Sequence, residues 1–172
     1  MNAINQADVT KLKALLEGFE DAILMTKAAE EPFRLHGRPM RIAQVEEDTS
    51  LWFFTGIDSG KVREVLADAE GYVVAQKSSK QVVLRGSFMI TKSPEKIESL
   101  WSKPLEVWFP GGPSDSNVCL LRFLPSEAEF WDNSGVKGMK FLWESTKAFV
   151  SGTVPDVGDP TQHGKIDLDT RI

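Results

Sequence analysis

Most apolar positions along this chain occur in short runs, and only a few recur at helical spacing. Helical spacing is clearest near the N-terminus, at Val9, Leu12, Leu15, Leu16 and Phe19. β-branched and aromatic residues are frequent in the short runs, which predicts strands over residues 22–26, 40–45, 51–55, 72–76, 82–90, 118–124 and 128–131. The pair His36-Gly37 and the polar residues 46–50 predict turns between strands.

Two further helices are predicted between the strands. An apolar face within residues 61–69 predicts the first of these helices, which Gly71 would end. Pro94 suits the first position of the second helix, whose buried stripe includes Ile97, Leu100 and Trp101. Gly86 interrupts the longest strand and predicts a bulge or bend there. Residues 141–150 fit either a helix or a strand.

Strands outnumber helices and do not alternate with them, which predicts a mainly β fold. A parallel sheet would need a crossover between successive strands, and too few helices are predicted to supply one each time. We therefore expect an antiparallel β-barrel of six or seven strands with flanking helices. One domain is expected over residues 1–150, and the Gly-, Pro- and Asp-rich residues 151–172 are expected to form a flexible C-terminal tail.

The composition is typical of a globular domain and excludes several classes of protein. The chain has 172 residues, of which 41% are hydrophobic and 26% charged. A net charge of −5 argues against nucleic-acid binding, which needs clustered lysine and arginine. No apolar run is long enough to predict a membrane-spanning helix, and no secretory signal pattern is seen. With a single cysteine, the sequence predicts a cytoplasmic protein without disulfides.

Common catalytic and metal-binding patterns are missing from the sequence. The two histidines, His36 and His163, fall in a predicted turn and in the predicted tail, so a zinc or iron site is not expected. Cys119 lies inside an apolar run and is expected to be a packed core residue. No nucleophile-elbow, Walker or dinucleotide-binding glycine pattern is present.

The strongest candidate chemistry lies between residues 38 and 61. Ser59 and Lys61 fall at the start of a predicted helix, where free backbone N–H groups and the helix dipole favour an anion. Thr55 adds a hydroxyl, and Arg38 on the neighbouring extended segment adds a second cation. The set suits a phosphate attached to a flat ring. The alternative is that Lys61 and Arg38 are ordinary solvated surface charges.

Several short motifs, taken together, resemble one family. In chain order they are Arg38-Pro39-Met40, residues 51–55, Ser59-Gly60-Lys61, residues 81–86, Leu100-Trp101, residues 107–112 with Asp115, residues 120–123 and residues 128–132. They resemble the flavin-binding split-barrel superfamily of pyridoxine 5′-phosphate oxidase, and within it the bacterial general stress protein branch. The resemblance covers residues 8–150.

This resemblance implies a split β-barrel that works as a homodimer. Flavin mononucleotide (FMN) would be the cofactor, held at the subunit interface, with flavin adenine dinucleotide (FAD) as the alternative. The strand that contains Arg38, Pro39 and Met40 would line the edge of the flavin ring. No membrane and no nucleic acid are implied as partners.

The resemblance also assigns the other parts of the cofactor to residues of this chain. Phe54 and Thr55 would lie beside the ribityl chain and phosphate, and Ser59 and Lys61 would bind the phosphate. Gln81 would reach the flavin from the same or the partner subunit. Trp108 would either cover the cofactor or pack in the core.

The sequence departs from the oxidases at two points. These departures argue against the oxidase reaction more than against cofactor binding. Gly60 stands where the oxidases usually have arginine before the phosphate lysine, and the C-terminal arm that binds the vitamin has no counterpart here. The resemblance therefore implies a flavin-binding general stress protein with a redox-related role, and not an oxidase of pyridoxamine phosphate. Two alternatives stay open. One is a flavin-dependent oxidoreductase of unknown substrate, and the other is a haem-handling or structural dimer on the same fold.

Overall fold

The computed structural model describes residues 6–30, 34–132 and 163–168. The helices are α1 (Gln6–Leu16), α2 (Gly60–Ala67) and α3 (Pro94–Leu100). The strands are β1 (Asp21–Lys27), β2 (Leu35–Arg41), β3 (Gln44–Val45), β4 (Leu51–Gly56), β5 (Glu70–Lys77), β6 (Lys80–Thr91), β7 (Val118–Asp132) and β8 (His163–Asp167). Two short 3₁₀ turns, Lys103–Val107 and Gly112–Ser114, follow α3.

The strands form one antiparallel sheet whose two ends meet. The strand order is β2-β1-β5-β6-β7-β4-β3, and β8 also pairs with β7. β2 and β3 lie at opposite ends of this order, yet only Ile42 and Ala43 separate them along the chain. A two-residue connection reaches about 10 Å at most, so the sheet must curl until its first and last strands are neighbours. The predicted mainly β, antiparallel barrel with flanking helices is confirmed.

The core fills the inside of this curled sheet. Side chains on its inner face are almost completely buried, among them Leu24, Phe53, Val73, Leu84 and Phe123. α1 adds Leu12 and Leu16 to the same cluster, as its predicted apolar stripe requires. A second, smaller apolar cluster lies between α3, the turns that follow it and the outer side of β4 and β7. Its buried members are Trp52, Ile97, Phe109, Val118 and Leu120.

The helices start close to the predicted positions. Pro94 is the first residue of α3, and the side chain of Ser93 caps the helix by accepting a hydrogen bond from the backbone N–H of Lys96. α2 ends at Ala67 because Asp68 is already extended. The predicted helix stop at Gly71 was wrong, since Gly71 lies inside β5.

β7 is one continuous strand where the sequence predicted two. It is held together by β6, which pairs with it over most of its length. The register shifts between Arg85 and Gly86, opposite Pro125, which confirms the predicted bulge. A Cβ atom on Gly86 would lie 2.1 Å from the carbonyl oxygen of Leu124, so the close approach of the two strands requires glycine.

Two predictions for residues 36–45 were wrong in detail. His36 and Gly37 are not a turn but lie inside β2, opposite Thr26 and Met25 of β1. Pairing along the whole of β1 outweighs the local turn preference of the His-Gly pair. The single strand predicted over residues 40–45 is two strands, because the chain passes from one end of the sheet to the other at Ile42 and Ala43.

Residues His163–Asp167, which fall in the predicted tail, form β8. This strand pairs with residues 127–131 of β7, along the edge that β4 occupies over residues 118–123. Ile166 and Leu168 are buried in the main core. This segment therefore belongs to the sheet and is not a loose tail. The predicted domain boundary at residue 150 and the ambiguous element at 141–150 lie outside the described residues.

Within the described part of the chain, no helix has the length and apolarity that crossing a membrane requires.

Candidate functional site

A cavity of about 510 Å³ opens where the two ends of the sheet meet. One wall is the end of β2 and the link to β3, from Pro39 to Ala43. Phe54 of β4 and Lys61 of α2 line the floor. The opposite wall comes from the end of α3 and the segment after it and is mostly apolar, with Leu100, Ser102, Leu105, Trp108 and Phe109. The volume and the apolar lining with few polar groups are typical of small-molecule sites.

Lys61 forms the polar end of the cavity. Its Nζ donates a hydrogen bond to Thr55 Oγ1 at 2.9 Å, and Thr55 Oγ1 lies 3.2 Å from Ser59 Oγ. Ser59 is the N-cap residue of α2, but its side chain makes no capping hydrogen bond to the helix. Thr55, Ser59 and Lys61 are thus brought together as predicted from the sequence. They place three donor groups beside the first turn of a helix.

The ammonium group of Lys61 is only partly compensated. Burial lowers the pKa of Lys61, and the nearby positive charge of Arg38 lowers it further, while Cys119 and Glu64 act in the opposite direction. Among the described residues, no carboxylate lies within ion-pair distance of Lys61. An anionic ligand at this position would supply the missing charge.

Aromatic side chains form the wall beside Phe54. The ring of Phe54 meets Trp101 edge to face, with centroids 5.8 Å apart, and Trp101 packs on Phe109 at 6.3 Å. Trp108 lies at the rim of the cavity and is 77% exposed. It is therefore not a core residue of the described chain, which was one of the two readings of its position in the sequence.

Arg38 is placed differently from the other predicted residues. It does not line the cavity but binds the buried carboxylate of Glu64 on α2, with Nη1 2.8 Å from Oε2. Thr26 Oγ1 also donates to this oxygen, at 2.5 Å, and His36 Nδ1 lies 2.6 Å from Glu64 Oε1. We call Thr26, His36, Arg38 and Glu64 the Glu64 cluster. Burial alone would raise the pKa of Glu64, but the hydrogen bonds from Arg38, Thr26 and His36 lower it to about 2.

Gln81 also lies away from the cavity of its own chain. It is exposed near the start of β6, opposite Gln76 of β5 and Trp131 of β7. The structure thus brings together Pro39, Met40, Phe54, Thr55, Ser59, Lys61 and Trp108, and it separates Arg38 and Gln81 from them.

Several lining residues were not assigned to the site from the sequence. They are Arg41, Ile42, Ala43, Leu100, Ser102, Leu105 and Phe109. Leu100 and Phe109 belong to the family-like motifs, which was the one available signal for them. The others follow from the closure of the sheet and from the path of the chain after α3, which no local pattern reveals.

The cysteine and the two histidines make no contact with the cavity. Cys119 is fully buried in β7, as predicted, and burial raises the pKa of its thiol to about 11. His163 stacks on Trp131 and pairs with Glu129 on the surface of β7 and β8. Searched over the described residues, the side chains form no group of three that could hold a metal ion.

The low pKa of Glu64 predicts how stability depends on pH. The folded protein holds this pKa near 2, below the ordinary 4.5, so the stabilisation is full above pH 4.5 and is lost as the pH falls toward 2. The difference corresponds to about 3 kcal/mol. We expect Glu64→Gln to lower the free energy of unfolding by an amount of this order at pH 7 and by much less near pH 2.5. Urea unfolding at both pH values measures this.

Glu98→Gln, at an exposed position on α3, is the matched control and should change stability little at either pH. A Glu64→Gln variant as stable as the wild type at pH 7 would show that the cluster does not stabilise the fold.

Comparisons with known proteins give the same fold and one family. The sequence matches the family described as "Pyridoxamine 5'-phosphate oxidase like" over residues 7–156. A search of curated proteins found no match to this sequence. A crystal structure from Jannaschia sp. CCS1, provisionally named general stress protein 26, is 25% identical, with a TM-score of 0.68, and the match covers 95% of this chain and 99% of that one.

Two further solved structures are described by the flavins that they bind. The general stress FMN/FAD binding protein of Xanthomonas citri is 24% identical, with a TM-score of 0.63, over 76% of this chain and 92% of that one. A pyridoxamine 5'-phosphate oxidase-related FMN binding protein of Nostoc punctiforme is 16% identical, with a TM-score of 0.54, over 76% of this chain and 83% of that one. These likenesses support the split-barrel architecture. Since the family match spans most of the sequence, the chain belongs to the pyridoxamine 5'-phosphate oxidase-like family.

Proposed function

We propose that this protein is a general stress protein that binds FMN at a homodimer interface and serves a redox-related role. The observation that carries the proposal is the cavity itself. At one end it has the half-buried ammonium group of Lys61, which has no carboxylate partner among the described residues. Beyond this group the walls are aromatic and apolar. A flat ring that carries a phosphate matches both parts.

Two groups of cavity residues would contact two different parts of the cofactor. Lys61, Thr55 and Ser59 would hold the phosphate, helped by the free N–H groups at the start of α2. Pro39, Met40 and Phe54 would line the ring system, and Trp108 would cover it from the rim. When bound, a flavin supplies the redox chemistry, and the protein supplies orientation and charge. FAD is the alternative, and neighbours of this fold are described for both flavins.

The outer face of the sheet is suited to a second copy of the chain. Ile23 is 40% exposed there and lies between Pro39 of β2 and Val74 of β5, which in turn pairs with Val83 of β6. Directly paired residues share a face, so these four form one apolar row that ends at the cavity wall. A partner seated on this row would close the open side of the cavity. Its Gln81, exposed on the same sheet, would then be available to the ligand.

Two alternatives stay open, and the cavity weighs against one of them. A haem-handling dimer usually supplies a histidine ligand, and neither His36 nor His163 lines the cavity. A flavin-dependent oxidoreductase would use the same cofactor site, and the ionisable side chains that line it in the described chain are the cations Arg41 and Lys61. These suit an anionic ligand, but they do not offer a carboxylate or imidazole base.

The phosphate assignment is tested by Lys61→Ala. We expect this variant to bind FMN more weakly by about 1.5–3 kcal/mol, because a charge-assisted contact to the phosphate is lost. Titration of flavin fluorescence, which should be quenched on binding, measures the affinity. Lys165→Ala, at an exposed lysine of β8, is the control and should bind as the wild type does. Unchanged affinity in Lys61→Ala would sink the assignment.

The dimer is tested by Ile23→Glu. A carboxylate in the apolar row should separate the subunits and weaken FMN binding, since an open cavity loses its partner's contacts. Sedimentation velocity with and without FMN measures both, and Ser99→Glu on the exposed face of α3 is the control. A wild-type protein that sediments as a monomer while it binds FMN would contradict the interface site.

The choice between a binding protein and an oxidoreductase is a matter of rate. We expect the flavin-loaded protein to stay yellow for minutes when it is mixed anaerobically with a reduced nicotinamide. Loss of the visible flavin band within seconds would instead support the oxidoreductase. Stopped-flow absorbance decides between them, with free FMN as the reference.

A further inference from the structure

The Glu64 cluster joins the two elements that carry the predicted ligand contacts. Lys61 and Glu64 are three residues apart on α2 and therefore lie on the same side of the helix. Arg38 and Met40 are two residues apart on β2 and share a face of the strand. Lys61 and Met40 line the cavity, while Glu64 and Arg38 bind one another beside it. The ion pair thus connects α2 directly to the strand that forms the cavity wall.

The guanidinium group of Arg38 is held by its contacts with Glu64 and Thr26. Its Nη1 donates both to Glu64 Oε2 and to Thr26 Oγ1, at 2.8 and 2.9 Å. The side chain of Glu64 is only 9% exposed and that of Arg38 23%. If the guanidinium group turned toward a ligand in the cavity, Glu64 would keep a buried charge without its cationic partner, which is strongly unfavourable.

Lys61 has much weaker restraints of its own. Among the described residues, its ammonium group hydrogen-bonds only to a neutral hydroxyl, that of Thr55, and its side chain is long and flexible. The position of its ammonium group therefore depends on where the backbone of α2 is held. Among the described residues, Glu64 makes the side-chain hydrogen bonds between α2 and the β1–β2 pair.

We propose that Glu64 and Arg38 are positioning residues, which hold Lys61 in place for the phosphate of the ligand without touching the ligand themselves. The proposal rests on the proposed function, in which Lys61 binds the FMN phosphate. It also revises the role that the family resemblance implies for Arg38, from a direct ligand to a partner of Glu64.

The test compares FMN with riboflavin, which has the same ring and ribityl chain but no phosphate. We expect Glu64→Gln to weaken FMN binding by about tenfold, because a charge-assisted hydrogen bond is sensitive to the position of its donor. Riboflavin binding should change less than about twofold, because the ring contacts are untouched. A merely unstable variant would lose affinity for both ligands alike, so the ratio of the two affinities is the decisive readout.

A double-mutant cycle separates a positioning role from direct contact. Arg38→Met should reduce the FMN-to-riboflavin preference about as much as Glu64→Gln does, and the double variant should be no worse than the weaker single variant. If Arg38 binds the phosphate directly, its removal should still weaken FMN binding in the Glu64→Gln background. Stronger FMN binding by Glu64→Gln would also overturn the proposal, since it would mean that a released Arg38 reaches the ligand.

Thr26→Val extends the test to a variant that keeps both charges. Thr26 is fully buried behind the pair, donates to Glu64 and accepts from Arg38, and does not line the cavity. We expect a smaller loss of FMN preference in the same direction. An unchanged preference in both Thr26→Val and Glu64→Gln would overturn the positioning role. A wild-type protein that binds neither flavin would instead refute the proposed function itself.

Discussion

The short link at Ile42 and Ala43 is the constraint on which the rest of the structure depends. It joins two strands at opposite ends of a seven-strand path, so the sheet has to close on itself. Closure puts Met40 of β2 beside Phe54 of β4, two residues that are remote in the strand order. The cavity forms at this seam, which is the place where the two ends of the sheet meet. A longer link would allow an open sheet, and its edge strands would then not share a ligand site.

Two cations near the seam differ in whether a carboxylate compensates their charge. This difference indicates which kind of ligand the cavity suits. Arg38 is paired with the buried carboxylate of Glu64 and also donates to the hydroxyl of Thr26, so its charge is already compensated within the fold. In the described chain, Lys61 donates a hydrogen bond only to the hydroxyl of Thr55, and burial lowers its pKa. A buried ammonium group of this kind favours an incoming anion, since the anion offsets part of its desolvation cost. The Glu64 cluster is therefore internally compensated, and the end of the cavity at Lys61 is the one suited to an anion.

One edge of β7 pairs with two strands, one after the other along its length. β4 covers its first half, and β8 covers the second half after the bulge at Gly86 and Pro125. Without β8, part of this edge would present unpaired backbone groups to solvent among the described strands. The buried side chains of Ile166 and Leu168 fix the segment in place. Residues 163–168 thus extend the barrel wall along β7, which differs from the substrate arm that the resemblance describes for the oxidases.

The sequence by itself determined most of the local elements and which polar side chains stand at the Lys61 end of the cavity. Alternating apolar residues, a capped proline start at Pro94 and the hydroxyl and lysine side chains at 55, 59 and 61 act over a few residues, and all of these are seen in the structure. The tertiary structure decided which residues meet. The carboxylate that binds Arg38 lies 26 positions away in the sequence, and β8 pairs with a strand more than 30 residues before it. Such contacts depend on how the whole sheet closes, because the free energy of a buried ion pair or strand pair is set by neighbours that local patterns do not specify.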